Sequence, residues 1–103
     1  MVDDAVIEEA GRRISQAAPH ARIILFGSHA RGDAGKHSDL DLLVIEPSVE
    51  NPARESVRLR RALGDLVLAA DVIVTSEERV RKWRDVRGSM IHAALREGRE
   101  ISA

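Results

Sequence analysis

The sequence predicts an α/β (α+β) domain in which a small mixed β-sheet is covered by helices. Three short apolar runs, typical of buried strands, alternate with stretches whose apolar residues recur at helical spacing. The connection between the first two strands is too short for a standard helical crossover, so these strands are expected to be antiparallel. With 103 residues, the chain is expected to form one domain, residues 1–103, with no room for a second one.

Predicted helices and strands alternate in the first half of the chain. A helix is predicted over residues 3–18, with acidic residues in its first turn and Pro19 just beyond its end. A buried strand follows at 22–26 and stops at Gly27. The next five residues, SHARG, are compatible with a short helical segment, and a loop then leads into a second strand at 39–46.

The second half begins with a turn between Pro47 and Pro52. A helix is predicted over residues 53–67, where leucines and small apolar residues form one stripe and arginines lie outside it. A third strand is expected at 71–75. The remainder, from about residue 77 to 99, is predicted to be helical with an interruption near Gly88.

Composition excludes several classes of protein. The chain has no cysteine, which rules out disulfides and thiolate metal sites and is compatible with a reducing cytosol. Its start is acidic, unlike a secretory signal, and its apolar runs are too short for a membrane helix, so a cytoplasmic location without membrane contact is expected. A net charge of −1 and 2% aromatic residues give no general attraction to nucleic acid, and no direct nucleic-acid binding is expected.

Most candidate functional residues lie in the stretch FGSHARGDAGKHSDLDLLVIE. Residues two apart on a strand face the same side, so Asp39 and Asp41 are expected to project together. Neighbouring carboxylates repel unless a cation lies between them, and Mg²⁺ is a hard ion that takes one or two carboxylates together with phosphate oxygens. Asp71 opens the third strand and would join the pair if that strand lies beside the second. Three such acids can hold two metal ions for phosphoryl or nucleotidyl transfer.

The Gly27–Ser28 turn is the candidate for phosphate binding. Backbone N–H groups at a strand-to-helix turn point at an incoming anion, and the Ser28 hydroxyl would add a donor. Two alternatives stay open, since Ser28 could simply be a helix N-cap and a strand-opening acid such as Asp71 is often a turn residue. P-loop, dinucleotide-binding and EF-hand motifs do not fit the spacing of the glycines and acids.

Together, GSxARG followed by SDLDL and a later aspartate on a strand resembles the signature of the DNA polymerase beta type nucleotidyltransferase superfamily, in particular its minimal, MntA-like branch. The resemblance implies a palm-like catalytic domain that binds ATP and Mg²⁺, with two ions expected. By position, Gly27 and Ser28 would hold the β and γ phosphates, and Asp39 and Asp41 would carry the metals. Asp71 would be the third metal carboxylate, near the attacking hydroxyl and able to accept its proton.

Two further residues complete the candidate nucleotide-binding set. Arg31 is a candidate phosphate contact, with a salt bridge to one of the carboxylates as its alternative. Ser38 precedes the paired aspartates in the motif, with a role in shaping the turn as its alternative.

The resemblance also implies a partner. Members of the minimal branch are typically encoded beside a small helical HEPN protein, which is either a toxin or a substrate-binding subunit. The expected reaction is transfer of AMP from ATP to a hydroxyl of that partner, a tyrosine above all, by the antitoxin of a toxin–antitoxin pair. The alternatives are a non-catalytic antitoxin that only binds the partner, and a nucleotidyltransferase that modifies a small molecule. The expected docking surface, in a homo- or hetero-oligomer, is the stripe along the C-terminal helices: Val80, Trp83, Val86, Met90 and Ile91.

Overall fold

The sheet has four strands and is flanked by helices on both faces. A computed structural model describes residues 2–35, 39–67 and 69–102. The strands are β1 (Arg22–Phe26), β2 (Leu40–Glu46), β3 (Ala70–Ser76) and β4 (Arg99–Glu100). The helices are α1 (Asp4–Ala17), α2 (Ser28–Arg31), α3 (Pro52–Leu63), α4 (Glu77–Trp83) and α5 (Met90–Glu97).

The strand order is β3-β2-β1-β4. β1 pairs antiparallel with β2, as its short connection predicts, and β2 pairs parallel with β3 after the α3 crossover. The predicted mixed sheet covered by helices is therefore confirmed.

Side chains of β2 alternate between two cores. Leu40, Leu42 and Val44 point to the face covered by α1 and α3, whereas Leu43 and Ile45 point to the face covered by α4 and α5. All five are fully buried, which explains why β2 is a nearly continuous apolar run, as expected for a central strand covered on both faces.

Polar caps define where most helices begin. The Asp3 carboxylate accepts the N–H of Val6 at 3.0 Å, and the Asn51 side chain accepts the N–H of Arg54 at 3.0 Å. The prediction that α3 reaches residue 67 is wrong, because the helix ends at Leu63 with Gly64 as its C-cap.

The C-terminal region differs most from its prediction. The expected break near Gly88 is confirmed, and α5 starts again after Ser89, whose hydroxyl accepts the N–H of His92 at 3.1 Å. The expected helix to residue 99 is wrong at its end, since α5 stops at Glu97 and Arg99 begins β4, which pairs with β1.

Gly98 makes this ending possible. A Cβ atom there would overlap or crowd the carbonyl oxygens of Ala94 and Leu25 and the side chain of Ile24. Glycine therefore lets the end of α5 approach the β1 backbone closely enough for the chain to add β4.

Within the described ranges, none of the helices combines the length and the apolar character that a membrane crossing would require.

Candidate active site

The candidate site lies at one edge of the sheet, where three strand ends meet. β1 runs toward this edge while β2 and β3 start from it, because β1 is antiparallel to β2 and β3 is parallel to it. In the register, Asp41 is opposite Phe26 on one side and opposite Asp71 on the other. The expectation that Asp71 would lie beside the aspartate pair is thus confirmed in position.

Asp41 and Asp71 share the α4–α5 face of the sheet, and Asp39 immediately precedes β2. Asp41 lies two residues before Leu43 and Asp71 two residues before Ile73, and both apolar residues belong to the core under α4 and α5. Asp41 is half-buried, whereas Asp39 and Asp71 are exposed. The strand register therefore places Asp41 and Asp71 just outside the apolar core, at the open end of this face.

Repulsion among these acids is visible in the electrostatics of Asp41. Burial raises the pKa of the Asp41 carboxyl, and the negative charges of Asp71 and Asp39 raise it further, against smaller opposing effects of His29 and Arg31. The negative charge of Asp41 is therefore less favourable in the folded protein than in water.

The donor chemistry of this edge fits Mg²⁺. Asp39, Asp41 and Asp71 offer only carboxylate oxygens, which suit a hard divalent ion, and a cation would relieve the repulsion that raises the Asp41 pKa. In the described ranges, the structure has no three acidic, histidine or cysteine side chains already gathered at metal-ligand distances. The assignment of the three aspartates as metal ligands stays a prediction.

Gly27 separates β1 from α2 and is in contact with Asp41. Its φ is +74°, which favours glycine. A Cβ atom on Gly27 would also overlap Oδ2 of Asp41 and lie 3.1 Å from its Cγ. The backbone conformation and the space taken by Asp41 both require glycine, so the motif glycine and the motif aspartate are in direct contact.

Ser28 is the first residue of α2, and the N-cap position belongs to Gly27. The alternative that Ser28 is merely an N-cap is therefore wrong. SHARG does form the short helical segment that was expected, with Gly32 as C-cap. The nucleotide-binding role of Gly27 and Ser28 stays a prediction.

Arg31 is engaged by two carboxylates. Its Nε lies 3.2 Å from Oδ2 of Asp33, and its Nη1 lies 3.3 Å from Oε1 of Glu97. A salt bridge, the alternative considered for Arg31, is what the structure shows, although the partners differ from the three motif aspartates. Ser38 lies outside the described residues.

Glu97 is the residue at this site that the sequence did not reveal. Besides Arg31, it contacts the turn directly, since its Oε1 accepts the backbone N–H of Gly27 at 3.1 Å. Glu97 ends α5, seventy positions from Gly27, and no local pattern connects the two. Only the placement of α5 against β1 brings them together.

An open sheet edge with two aspartates in register beside a Gly-Ser turn fits the chemistry of nucleotidyl transfer. A family model described as a nucleotidyltransferase domain matches residues 7–96. The chain belongs to this nucleotidyltransferase domain family, which confirms the resemblance indicated by the motifs.

A relative and a solved structure agree with this class. Over 46 residues the chain is 48% identical to a Methanocaldococcus jannaschii protein named "putative protein adenylyltransferase", an alignment that covers 45% of this chain and 29% of that protein. The chain therefore matches less than a third of that relative's length.

The crystal structure of a protein described as a "putative nucleotidyltransferase" from Sulfolobus solfataricus superposes with a TM-score of 0.54. The alignment has 22% identity and covers 76% of this chain and 70% of that chain. At this identity, the likeness shows that the two proteins share a fold.

Proposed function

We propose that the protein transfers AMP from ATP to a hydroxyl group of a partner protein in a reaction that depends on Mg²⁺. The observation that carries this proposal is the register that sets Asp41 against Asp71 on neighbouring parallel strands, with Gly27 in contact with Asp41. Family membership supports nucleotidyl transfer. The name of the archaeal relative supports a protein as the acceptor.

The residues have separate roles in this reaction. Asp39, Asp41 and Asp71 would hold Mg²⁺, which supplies positive charge to the phosphate oxygens and to the departing pyrophosphate. Gly27 and Ser28 bind the β and γ phosphates of ATP. Asp71 is exposed at the edge of the sheet, where it accepts the proton of the attacking hydroxyl.

The bonds in the reaction balance as follows. The acceptor oxygen forms a bond to the α phosphorus of ATP while the bond from that phosphorus to the bridging oxygen breaks. Pyrophosphate leaves with the bridging oxygen, and the acceptor hydroxyl loses one proton. The products are an AMP-modified acceptor and pyrophosphate.

We propose a helical HEPN-type protein as the partner, with this chain as its antitoxin. Support comes from an exposed apolar patch at the end of α4, in the following loop and at the start of α5, formed by Trp83, Val86 and Met90. Their exposed fractions are 39%, 41% and 40%. Val80 and Ile91, also expected in the docking stripe, are instead buried against the sheet.

Charge around the apolar patch defines the chemistry of a suitable partner. Three basic residues, Lys82, Arg84 and Arg87, and one acidic residue, Asp85, are exposed beside it in the chain, so the net charge there is positive. Acidic side chains around an apolar centre on the partner would complement this surface. The patch also serves the alternative function, neutralisation by binding alone, because its residues are separate from the acids of the candidate site.

Intact-mass spectrometry tests the reaction. The purified protein would be incubated with ATP, Mg²⁺ and the HEPN-type protein encoded by a neighbouring gene, and the partner's mass should rise by one or more AMP units. Asp41→Asn should abolish the increase, and Glu50→Gln, an exposed acid at the other end of β2, should leave it unchanged. An unmodified partner that is nevertheless neutralised would favour the binding-only alternative.

A further inference from the structure

Glu97 holds two donors at the Gly-Ser turn with one carboxylate. Its Oε1 accepts the Gly27 N–H at 3.1 Å and lies 3.3 Å from Nη1 of Arg31, and its Oε2 lies 3.4 Å from the same nitrogen. A backbone N–H and a guanidinium that converge on one anionic group form the kind of donor set that also binds a phosphate oxygen.

From this geometry we infer that Glu97 is an internal competitor of the nucleotide, a positioning residue whose carboxylate must leave Gly27 and Arg31 when the triphosphate binds. The inference rests on the proposed function, since it assumes that the triphosphate uses the Gly27 turn. A carboxylate and a phosphate cannot share these donors at close range because both carry negative charge. Glu97 therefore lowers the affinity for ATP.

Release of Gly27 and Arg31 does not require the backbone of Glu97 to move, because its side chain can turn away. Ile91 and Ala94 anchor α5 in the core under the sheet. Gly98 then passes so close to the β1 backbone that no larger residue fits. The Glu97 side chain itself is 32% exposed, so its carboxylate can rotate into solvent without moving the helix. Displacement by a phosphate thus needs a side-chain rotation only.

Arg31 changes partner in the same event. It is shared by Glu97 and Asp33, with Nε 3.2 Å from Oδ2 of Asp33. Once Glu97 turns away, the Nη1 group of Arg31 is available to a phosphate oxygen while Asp33 still holds its Nε side. This would convert Arg31 from a salt-bridge residue into a phosphate contact, the other role considered for it.

Titration calorimetry with ATP and Mg²⁺ tests the inference on the whole chain. Glu97→Gln should bind ATP about five- to tenfold more tightly than wild type, which corresponds to about 1–1.4 kcal/mol. Glutamine has the same shape and can still accept the Gly27 N–H, but it does not repel phosphate. Urea unfolding of the same variant checks that the fold is retained.

Two further variants distinguish the effect of the Glu97 contact with Gly27 and Arg31 from the effect of net charge. Glu97→Asp keeps the charge but shortens the side chain by one methylene, and it should also bind ATP more tightly. Asp33→Asn removes a neighbouring charge that pairs with Arg31, and it should change the affinity less than Glu97→Gln does. If only Glu97→Gln binds more tightly and Glu97→Asp behaves as wild type, net charge is the cause and the inference is wrong.

The amide resonance of Gly27 gives a second readout. It should shift when ATP is added to wild type, because its acceptor changes from carboxylate to phosphate. Equal or weaker ATP binding by Glu97→Gln would overturn the competitor role while the proposed function stands. Absence of ATP binding in wild type and all variants would overturn both.

Discussion

The carboxylate of Asp41 fills the space that a side chain on residue 27 would need, so Gly27 and Asp41 are in contact across the β1–β2 pair. Gly27 also has a φ of +74°. Gly27→Ala should therefore lower the free energy of unfolding by about 2–4 kcal/mol, through backbone strain and displacement of the Asp41 carboxylate. Urea unfolding and ATP binding with Mg²⁺ would both be measured, and both should weaken.

Gly32 offers a matched control for this substitution. Its φ is +81°, close to that of Gly27, but a Cβ atom there would meet nothing within 4 Å. Gly32→Ala should cost about 1 kcal/mol and leave ATP binding intact, because it adds backbone strain alone. Equal losses of ATP binding in the two variants would show that the contact between residue 27 and Asp41 has no role in the site.

Binding of ATP with Mg²⁺ should raise the stability of the protein. At about 100 times the Kd the gain is about 2.7 kcal/mol, and replacement of both Asp39 and Asp41 by asparagine should remove it. Without ligand, the double variant should be at least as stable as wild type near neutral pH, since repulsion and burial raise the Asp41 pKa. Thermal unfolding with and without ATP measures both effects; an equal gain in both proteins would contradict the metal assignment.

Asp71→Asn separates catalysis from binding of the partner. Loss of a proton acceptor and metal ligand should slow AMP transfer by about 100- to 10,000-fold. The complex with the partner should persist, because Asp71 is not one of the exposed apolar residues (Trp83, Val86 and Met90) proposed to bind the partner. Transfer would be followed by mass spectrometry and the complex by size-exclusion chromatography. Full neutralisation of the partner by this variant would support binding alone as the function.

Stability should also depend on pH through an acid pair far from the site. Burial, followed by a hydrogen bond with Glu55 and its negative charge, raises the pKa of Glu46 to about 7. The pKa of Glu55 falls to about 2, with a bidentate contact to Arg58 at 2.7 Å as the first cause. The pair therefore favours one shared proton at mildly acidic pH.

The direction of the pH effect follows from proton binding. Between the ordinary value of 4.5 and about 7, the folded protein holds a proton on Glu46 that the unfolded chain has lost. Stability therefore falls as pH rises through this interval and levels off above it. Glu46→Gln should match wild type near pH 5 and exceed it by about 1–2 kcal/mol at pH 8. Glu50→Gln, an exposed neighbour, is the control and should follow the wild-type curve in urea unfolding at each pH.

The sequence predicted the elements whose signals are local. The apolar runs marked β1, β2 and β3, and the short connection predicted that β1 and β2 are antiparallel. The two-residue period of a strand predicted that Asp39 and Asp41 project to one side, and β2 begins at Leu40, directly after Asp39. The position of Asp71 beside Asp41 was predictable only on the condition that β3 joins β2, which the α3 crossover fulfils.

The features that sequence reasoning missed depend on distant contacts. β4 has two exposed residues and no alternation of apolar side chains, so it becomes a strand only because Gly98 lets the chain reach β1. The contact of Glu97 with Gly27 has the same origin. α3 ends early, at Leu63, because Gly64 has a φ of +58°, outside the helical range. Apolar residues continue at helical spacing beyond Gly64, which is why the sequence predicted a longer helix.

α5 connects the exposed apolar patch, proposed to bind the partner, with the Gly27 turn, proposed to bind ATP. Met90 at its first turn belongs to the exposed apolar patch, and Glu97 at its last residue holds the Gly27 turn. A partner that tilts or shifts this eight-residue helix would change how firmly Glu97 competes with ATP. By thermodynamic reciprocity, ATP would then change the partner's affinity by the same factor.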